Sequence, residues 1–278
     1  MKRKTRKKLI TVFSYVLLIL IAVIQMIPLV VMFLNSVRTN EDIQARLIAI
    51  PEGFHWENFV TAWTRGGYLQ AYISNLIIGL AAAFIVLLVT GLAAYGLVKL
   101  EAPGAGFFRT YFTAGLSIPG FAIIATLFFM FNRIGLVNTR TGMIIIYTAI
   151  NIPFNFMFVH AFFQGMPKEL DEAARIDGAT EMQNFRYNVL PLAKPIFTTV
   201  LLIVFVNVWN EFLFANTFLQ DDSVRTVALR FYNFVGKNSG DPAYIYAAAV
   251  ISVLPILVMY MLMQDTFVEG MTSGSVKG

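Results

Sequence analysis

Long apolar segments alternate with short polar ones along this chain of 278 residues. Five segments contain no Asp, Glu, Lys, Arg or His, and a sixth contains a single charge, that of Glu211. A helix that spans a lipid bilayer needs about 20 predominantly apolar residues. The pattern therefore predicts six transmembrane helices, at about 9–37, 70–98, 108–132, 141–164, 195–219 and 243–266.

The apolar segments are hydrophobic on every side and do not alternate as transmembrane strands do. Lipid offers no partner to backbone N–H and C=O groups, so helices that satisfy those groups internally are expected. We predict an all-α integral membrane protein with a single transmembrane domain over residues 1–278. The alternative is a soluble protein with six buried helices. It is disfavoured because charged residues make up only 13% of the chain, against about 25% in soluble domains.

The N-terminal segment 2–8 is rich in Lys and Arg, and such charges hold the adjacent end of a first helix in the cytoplasm. Because the helices then alternate, both termini and the polar segment 166–194 are expected in the cytoplasm, and the segment 38–70 outside. Pro119 and Gly120 predict a kink or break within the third helix. The pI of about 9.4 is explained by this topology, so nucleic acid is not an expected partner.

Several kinds of chemistry are excluded by composition. The chain has no cysteine and two histidines, which rules out thiolate chemistry and disfavours a multi-histidine metal site. It contains no G-x-x-x-x-G-K-[ST] phosphate loop. No cofactor or metal is expected in this chain, and any ATP-driven activity requires a separate ATPase polypeptide.

The segment 166–194 has the pattern of a helix, a turn and a second helix. Acidic residues at 169–172 suit the positive end of a helix dipole. Gly178 can adopt the positive φ that ends a helix, and Thr180 with Gln183 forms a capping-box pattern for the next one. From the residues alone, this segment either docks another protein or packs on its own helical bundle.

The sequence E-A-A-R-I-D-G-A at 172–179, followed by Phe185 and by Leu190-Pro191, resembles the cytoplasmic coupling loop of bacterial ABC import permeases. We call the segment 166–194 the coupling loop. Further matches resemble the maltose-type, carbohydrate-uptake branch of that family: Asn75, Ile118-Pro119, G-L-V-N-T at 135–139, Pro153-Phe154, W-N-E-F at 209–212, and the end of the chain from 267. Gly120 departs from the branch, in which a second proline is common.

The resemblance implies a non-catalytic permease subunit in the plasma membrane of a bacterium. Its implied partners are a second permease, two copies of a cytoplasmic ABC ATPase that binds ATP and Mg²⁺, a solute-binding protein outside the membrane, and the sugar itself. The residues that it implies for ATPase coupling are Glu172, Ala173, Ala174, Asp177, Gly178 and Ala179.

Polar residues within the apolar segments are candidates for a translocation path, since charges in a membrane are costly and usually functional. In a continuous fifth helix, Glu211 shares one face with Asn207, Asn210 and Phe214. Amide, carboxylate and aromatic groups suit sugar hydroxyls and rings. The expected path residues are Asn207, Asn210, Glu211, Phe214, Asn151, Asn155 and Asn75. The asparagines have an alternative role as hydrogen-bond partners between helices.

Other functions remain open at this level. The importer could carry a non-sugar solute such as a polyamine. A secondary transporter would explain the intramembrane acid, but such proteins often show internal repeats, and none is visible here. A membrane enzyme would need a catalytic cluster, which the two histidines and one buried acid do not supply.

Overall fold

The computed structural model describes residues 3–100 and 102–273, with side chains at 8–100 and 102–265. In this part of the chain every regular element is helical and no strand occurs, which confirms the predicted all-α class. The α-helices are α1 (Arg3–Ser36), α2 (Asn40–Ala45), α3 (Glu57–Gly66), α4 (Tyr68–Val98), α5 (Ala105–Gly115), α6 (Ile124–Arg133), α7 (Arg140–Gly165), α8 (Glu169–Ile176), α9 (Glu181–Asn184), α10 (Leu190–Asn210), α11 (Leu213–Phe218), α12 (Val227–Lys237) and α13 (Pro242–Ser273).

Among the residues that the structure describes, five helices are long and apolar enough to cross a membrane, and a bent pair supplies a sixth candidate span. The pair is Ala105–Gly115 with Gly120–Arg133, whose axes differ by 81°. At the break, Pro119 has an extended conformation with φ −65° and ψ 115°. Proline lacks the N–H that would continue the helix, and its ring crowds the preceding turn. The span predicted over 108–132 is therefore divided into two helices, and the predicted break at Pro119 is confirmed.

The fifth span differs from its prediction at both ends. One continuous helix runs over Glu181–Asn210, instead of beginning after Pro195. A π-helical turn at Phe185–Val189 joins α9 to α10, with the N–H of Leu190 bonded to the carbonyl of Phe185. This wider turn makes room for the proline that follows Leu190. The helix ends at Asn210, not at 219, because the next residue turns to an extended conformation with ψ 128°.

The last span, α13, begins at Pro242 as expected and continues past the predicted end at 266 to Ser273. No proline interrupts the chain after Pro255, so the helix can extend beyond its apolar part. The final residues, 274–278, lie outside the described part of the chain. The predicted external loop 38–70 contains α2 and α3.

The chain divides into two compact units. The first comprises Met1–Tyr68 and Arg230–Pro255, and the second comprises Leu69–Leu229 and Ile256–Gly278. Hydropathy identifies spans but does not encode which spans share a core. Every residue predicted for coupling or for the translocation path lies in the second unit. Its core is built from buried apolar side chains of four spans, among them Ile78, Val86, Phe156, Val200 and Phe218.

Close packing holds α5 against α7. A Cβ on Gly115 would lie 2.7 Å from Cγ of Pro153, so only glycine allows this approach. One turn earlier, the ring of Phe112 stacks on that of Phe156 with centroids 4.1 Å apart. The two helices are thereby fixed against each other at the end of α5 that adjoins the Pro119 break.

In the first unit, a buried arginine ties the end of α1 to the loop that follows it. The guanidinium of Arg38 is fully buried and donates to Asp42 Oδ2 at 2.6 Å and to Asn35 Oδ1 at 2.7 Å. It also donates to the backbone carbonyls of Asp42 and Arg46, at 3.0 and 2.8 Å. Asn58 closes the network by donating to the carbonyls of Ser36 and Arg38.

We predict that Arg38→Met destabilises this unit by about 3–5 kcal/mol, because it leaves buried acceptors without a donor. The midpoint of thermal unfolding of the detergent-solubilised protein, followed by intrinsic fluorescence, should fall clearly. Arg46→Met is the matched control, since the side chain of Arg46 is 60% exposed, its ion pair with Glu52 lies at the surface, and its pair with Asp42 is long, at 3.6 Å. Equal midpoints for the two variants would contradict the role given to Arg38.

Candidate coupling loop and translocation path

The coupling loop forms two helices around a glycine, as the sequence predicts. Glu169, Asp171 and Glu172 occupy the first turn of α8. Gly178 has φ +79°, and a Cβ built on it would meet no atom within 4 Å. The turn therefore requires glycine for its backbone conformation and not for space. Thr180 and Gln183 form the predicted capping box at the start of α9.

An ion pair attaches α8 to the rest of its unit. Lys99, just after α4, donates to Asp171 Oδ2 at 2.7 Å, and both side chains are nearly buried. Asn184 of α9 donates to Asp171 Oδ1 at 2.9 Å. Burial by itself raises the pKa of Asp171, but these hydrogen bonds and the charges of Lys99 and Arg175 outweigh it and hold the pKa below its ordinary value. The carboxylate thus stays ionised and joins α8, α9 and the end of α4.

The predicted coupling residues do not all face the same way. Glu172, Ala173, Asp177 and Gly178 are exposed, and Ala179 is half-buried. Ala174 is buried and faces the unit itself, so the structure gives it an inward packing role instead of a place on the exposed surface. This follows from the helical turn, which cannot present two adjacent alanines to the same side.

Three exposed apolar side chains extend the outer surface of the coupling loop. They are Ile176, Met182 and Tyr187, with 86%, 72% and 69% of their surface accessible. Sequence reasoning missed them, although isolated apolar residues in a polar loop are a signal for a contact surface. The carboxylate of Glu172 is exposed in the same loop, and exposed apolar and charged side chains in one segment are typical of a protein-binding surface.

The candidate path residues of α7 and α10 do come together. Asn207 donates to Asn151 Oδ1 at 3.1 Å, and Asn151 donates to the backbone carbonyl of Tyr147. Asn155 is fully buried and donates to the carbonyl of Asn151. Asn207 and Asn210 themselves are exposed. The exposed end of this series of hydrogen-bonded asparagine side chains therefore lies on α10.

Glu211 does not share a helix face with Asn207 and Asn210, contrary to the prediction, because α10 ends before it. Its carboxylate accepts hydrogen bonds from the backbone N–H groups of Phe214, at 2.8 Å, and Ala215, at 3.1 Å. It thus caps α11, whose first N–H groups have no partner in the helix. Its other contact is the hydroxyl of Tyr147, at 2.6 Å, a residue that sequence reasoning missed.

Phe214 and Asn75, two further residues predicted for the path, are both buried in the structure. Phe214 is buried, with 3% of its surface accessible, and belongs to the core of the unit. Asn75 is also buried, and its Oδ1 accepts from the N–H of Val227 at 2.7 Å, at the start of α12. Both predictions assumed that a polar or aromatic residue in a span faces an open path. Here Phe214 fills space and Asn75 satisfies a helix end.

No group of three or more His, Asp or Glu side chains that could hold a metal occurs among the residues that the structure describes. The predicted path residues offer hydrogen bonding by amides and by the carboxylate of Glu211, and the coupling loop offers an exposed surface with charged side chains. Such an arrangement can bind and pass a polar solute and can contact a partner protein.

Comparisons with known proteins agree with this description. Residues 88–273 match the family described as the binding-protein-dependent transport system inner membrane component. The chain is 32% identical to the diacetylchitobiose uptake system permease protein NgcG of Streptomyces coelicolor, covering 95% of this chain and 88% of that protein. It is 33% identical to the melibiose/raffinose/stachyose import permease protein MelC of Bacillus subtilis, covering 93% and 94%.

The fold has also been seen in a crystal structure. A chain of a bacterial ABC transporter involved in the import of the acidic polysaccharide alginate superposes with a TM-score of 0.77. That alignment covers 96% of this chain and 99% of the other, at 21% identity. The family match and the shared fold lead to one conclusion: this chain is a multi-pass membrane protein that belongs to the binding-protein-dependent transport system inner membrane components, the permeases of ABC importers.

Proposed function

We propose that this permease passes a sugar or oligosaccharide across the plasma membrane of a bacterium as part of an ATP-driven, binding-protein-dependent importer. The observation that carries the proposal is the match over nearly the whole chain to permeases named for uptake of diacetylchitobiose and of melibiose, raffinose and stachyose. Those names favour a sugar over a polyamine or another small solute. The chain itself performs no catalysis, and separate ATPase subunits hydrolyse ATP.

In this proposal, the partners are a second permease, two copies of an ABC ATPase and an external solute-binding protein. Both termini and the coupling loop lie in the cytoplasm, in accordance with the basic segment 2–8. The ATPase docks on the outer surface of the coupling loop, where Glu172, Ile176 and Met182 are exposed. Its movement reaches the membrane along two physical connections.

The first connection is Asp171, which links α8 to Lys99 beside α4 through a nearly buried ion pair. The second is the continuous helix Glu181–Asn210, which begins in the coupling loop and ends at the exposed amides of Asn207 and Asn210. A helix transmits a displacement along its length because its hydrogen-bonded backbone resists bending. A push on the loop is thereby delivered to the residues proposed to meet the solute.

The translocation path is proposed to run along the amide chain of Asn207 and Asn151, with Asn210 beside it. Amides supply both donors and acceptors, which matches the paired donor and acceptor character of sugar hydroxyls. Glu211 caps α11 and accepts a hydrogen bond from the hydroxyl of Tyr147. Its role in this proposal is to hold α11 in place and not to contact the solute.

Gly178→Val should uncouple the transporter. A β-branched residue at φ +79° strains the turn by about 1–3 kcal/mol and shifts α8 relative to α9. The protein should still insert into the membrane, but uptake and co-purification of the ATPase should fall together. Gly135→Val is the matched control, since Gly135 also has a positive φ, +71°, with no neighbour within 4 Å, and lies outside the coupling loop. Normal uptake by Gly178→Val would remove the coupling assignment.

Glu172→Lys should weaken assembly with the ATPase more than Glu172→Gln does. The carboxylate is exposed and has no ion-pair partner among the described residues. Losing a charge-assisted contact at a buried interface costs about 2–5 kcal/mol, and reversing the charge adds repulsion. Glu169→Lys changes the same charge in the same helical turn and controls for the helix dipole. If all three variants co-purify the ATPase like the parent, Glu172 only stabilises α8.

Single cysteines at 207 and 210 should react with a small charged thiol reagent in membranes, because a path-lining thiol is in contact with water. The chain has no native cysteine, so no background substitution is needed. Cysteines at 208 and 214 should react slowly, since Val208 and Phe214 are buried. Reactivity at 207 and 210 should also change when ATP is added. Equally slow labelling at all four positions would place Asn207 and Asn210 against lipid or protein instead of a path.

A further inference from the structure

Several large apolar side chains are exposed in the segment that runs from the end of α2 into α3, in the first unit. They are Leu47, Ile48, Ile50, Phe54, Trp56 and Val60, and between 56% and 82% of the surface of each is accessible. They belong neither to the coupling loop nor to the proposed path. A concentration of exposed apolar side chains in one short segment marks an interaction site.

Three neighbouring rings of this segment form a cluster. The ring of Phe54 stacks on that of Trp56 with centroids 6.1 Å apart, and the ring of Trp56 lies against that of Phe59 at 6.0 Å. We call Phe54, Trp56 and Phe59 the aromatic cluster. Although Trp56 lies between the other two rings, 63% of its surface remains accessible, so a partner can contact it directly.

Hydrogen bonds hold this segment against the end of α1. The backbone N–H of His55, between two members of the aromatic cluster, donates to the carbonyl of Val37 at 2.9 Å. The side chain of Asn35 donates to the carbonyl of Leu47 at 3.1 Å, and that of Asn58 bonds to two more carbonyls at the end of α1. The aromatic cluster is therefore fixed at the level at which α1 ends.

The length of α1 places this level at the surface of the bilayer. Its span Lys8–Ser36 has 29 residues, which is about 43 Å at a rise of about 1.5 Å per residue. A bilayer measures about 40–45 Å when its headgroup regions are included. Because the basic segment 2–8 remains at one surface, Ser36 reaches the headgroups of the opposite one. The aromatic cluster lies beside them.

We propose that the aromatic cluster and the exposed aliphatic side chains next to it insert into the lipid interface and anchor this segment to the bilayer. Tryptophan suits this depth because its ring is largely apolar whereas its N–H is polar. The cluster also continues the apolar surface of α1, whose most apolar window is not buried by any described residue. Arg46 and Glu52 form an exposed ion pair in the same segment, and such charged groups suit the headgroups.

A protein outside the membrane is the alternative occupant, since aromatic side chains are also enriched in protein interfaces. Lipid is favoured because the hydrogen bonds to α1 hold the cluster at the depth of the headgroups. The proposal requires that α1 spans the membrane and does not depend on which solute is carried. A failure of the sugar assignment would therefore leave it unchanged.

The depth of single nitroxide labels tests the proposal in the full transporter, reconstituted in phosphatidylcholine nanodiscs. Labels are attached to Trp56→Cys and Ile50→Cys, and the parent, which has no cysteine in this chain, gives the background from other subunits. Electron paramagnetic resonance then compares collisions with oxygen, which concentrates in lipid, and with a nickel chelate, which stays in water. Leu18→Cys, exposed within α1, is the lipid reference.

Glu52→Cys is the matched control, because Glu52 is exposed in the same segment but charged. The ratio of oxygen to nickel collisions should be higher at 56 and 50 than at 52, and should approach that at 18. With the label at 50, Trp56→Glu should lower the ratio, since a carboxylate is costly in lipid, whereas Trp56→Phe should preserve it. If Trp56→Cys fails to insert, the label at 50 decides.

Two results would overturn the lipid anchor. Ratios at 56 and 50 no higher than at 52 would show that the cluster faces water. Exclusion of both oxygen and the nickel chelate from these positions would show that a protein covers the cluster.

Discussion

Every backbone polar group that lies in lipid must find its hydrogen-bond partner within the protein, and this constraint organises the whole chain. Uninterrupted helices meet it over most of the apolar sequence. Where one helix ends and another begins, side chains meet it instead. Glu211 accepts from the first N–H groups of α11, and Asn75 accepts from the first residue of α12. Polar side chains such as these are thus occupied in hydrogen bonds to the backbone, and exposed polar side chains remain available to a solute.

The same constraint divides the polar residues of α7 and α10 into buried ones that bond to the backbone and exposed ones that can contact a solute. Asn155 and Asn151 are buried and donate to backbone carbonyls, whereas Asn207 is exposed and donates to Asn151. The wall of the proposed path is therefore rigid behind its surface. In the proposed mechanism, a displacement of α10 therefore moves the amides of Asn207 and Asn210 together with the helix that carries them.

Asp171 makes the coupling loop part of this rigid unit. A carboxylate shared by Lys99 and Asn184 fixes the inner side of α8, so its outer side is free for a partner.

The sequence by itself determined the features that depend on local chemistry. Apolar length gave the spans, Pro119 gave the break in the third span, and Gly178 with the capping box of Thr180 gave the geometry of the coupling loop. Only the tertiary structure decided where the fifth span ends. That end depends on Glu211 and on Tyr147, which lies 64 residues away in the chain. Hydropathy and helical periodicity describe neighbours in sequence, so they cannot report a hydrogen bond formed across the core.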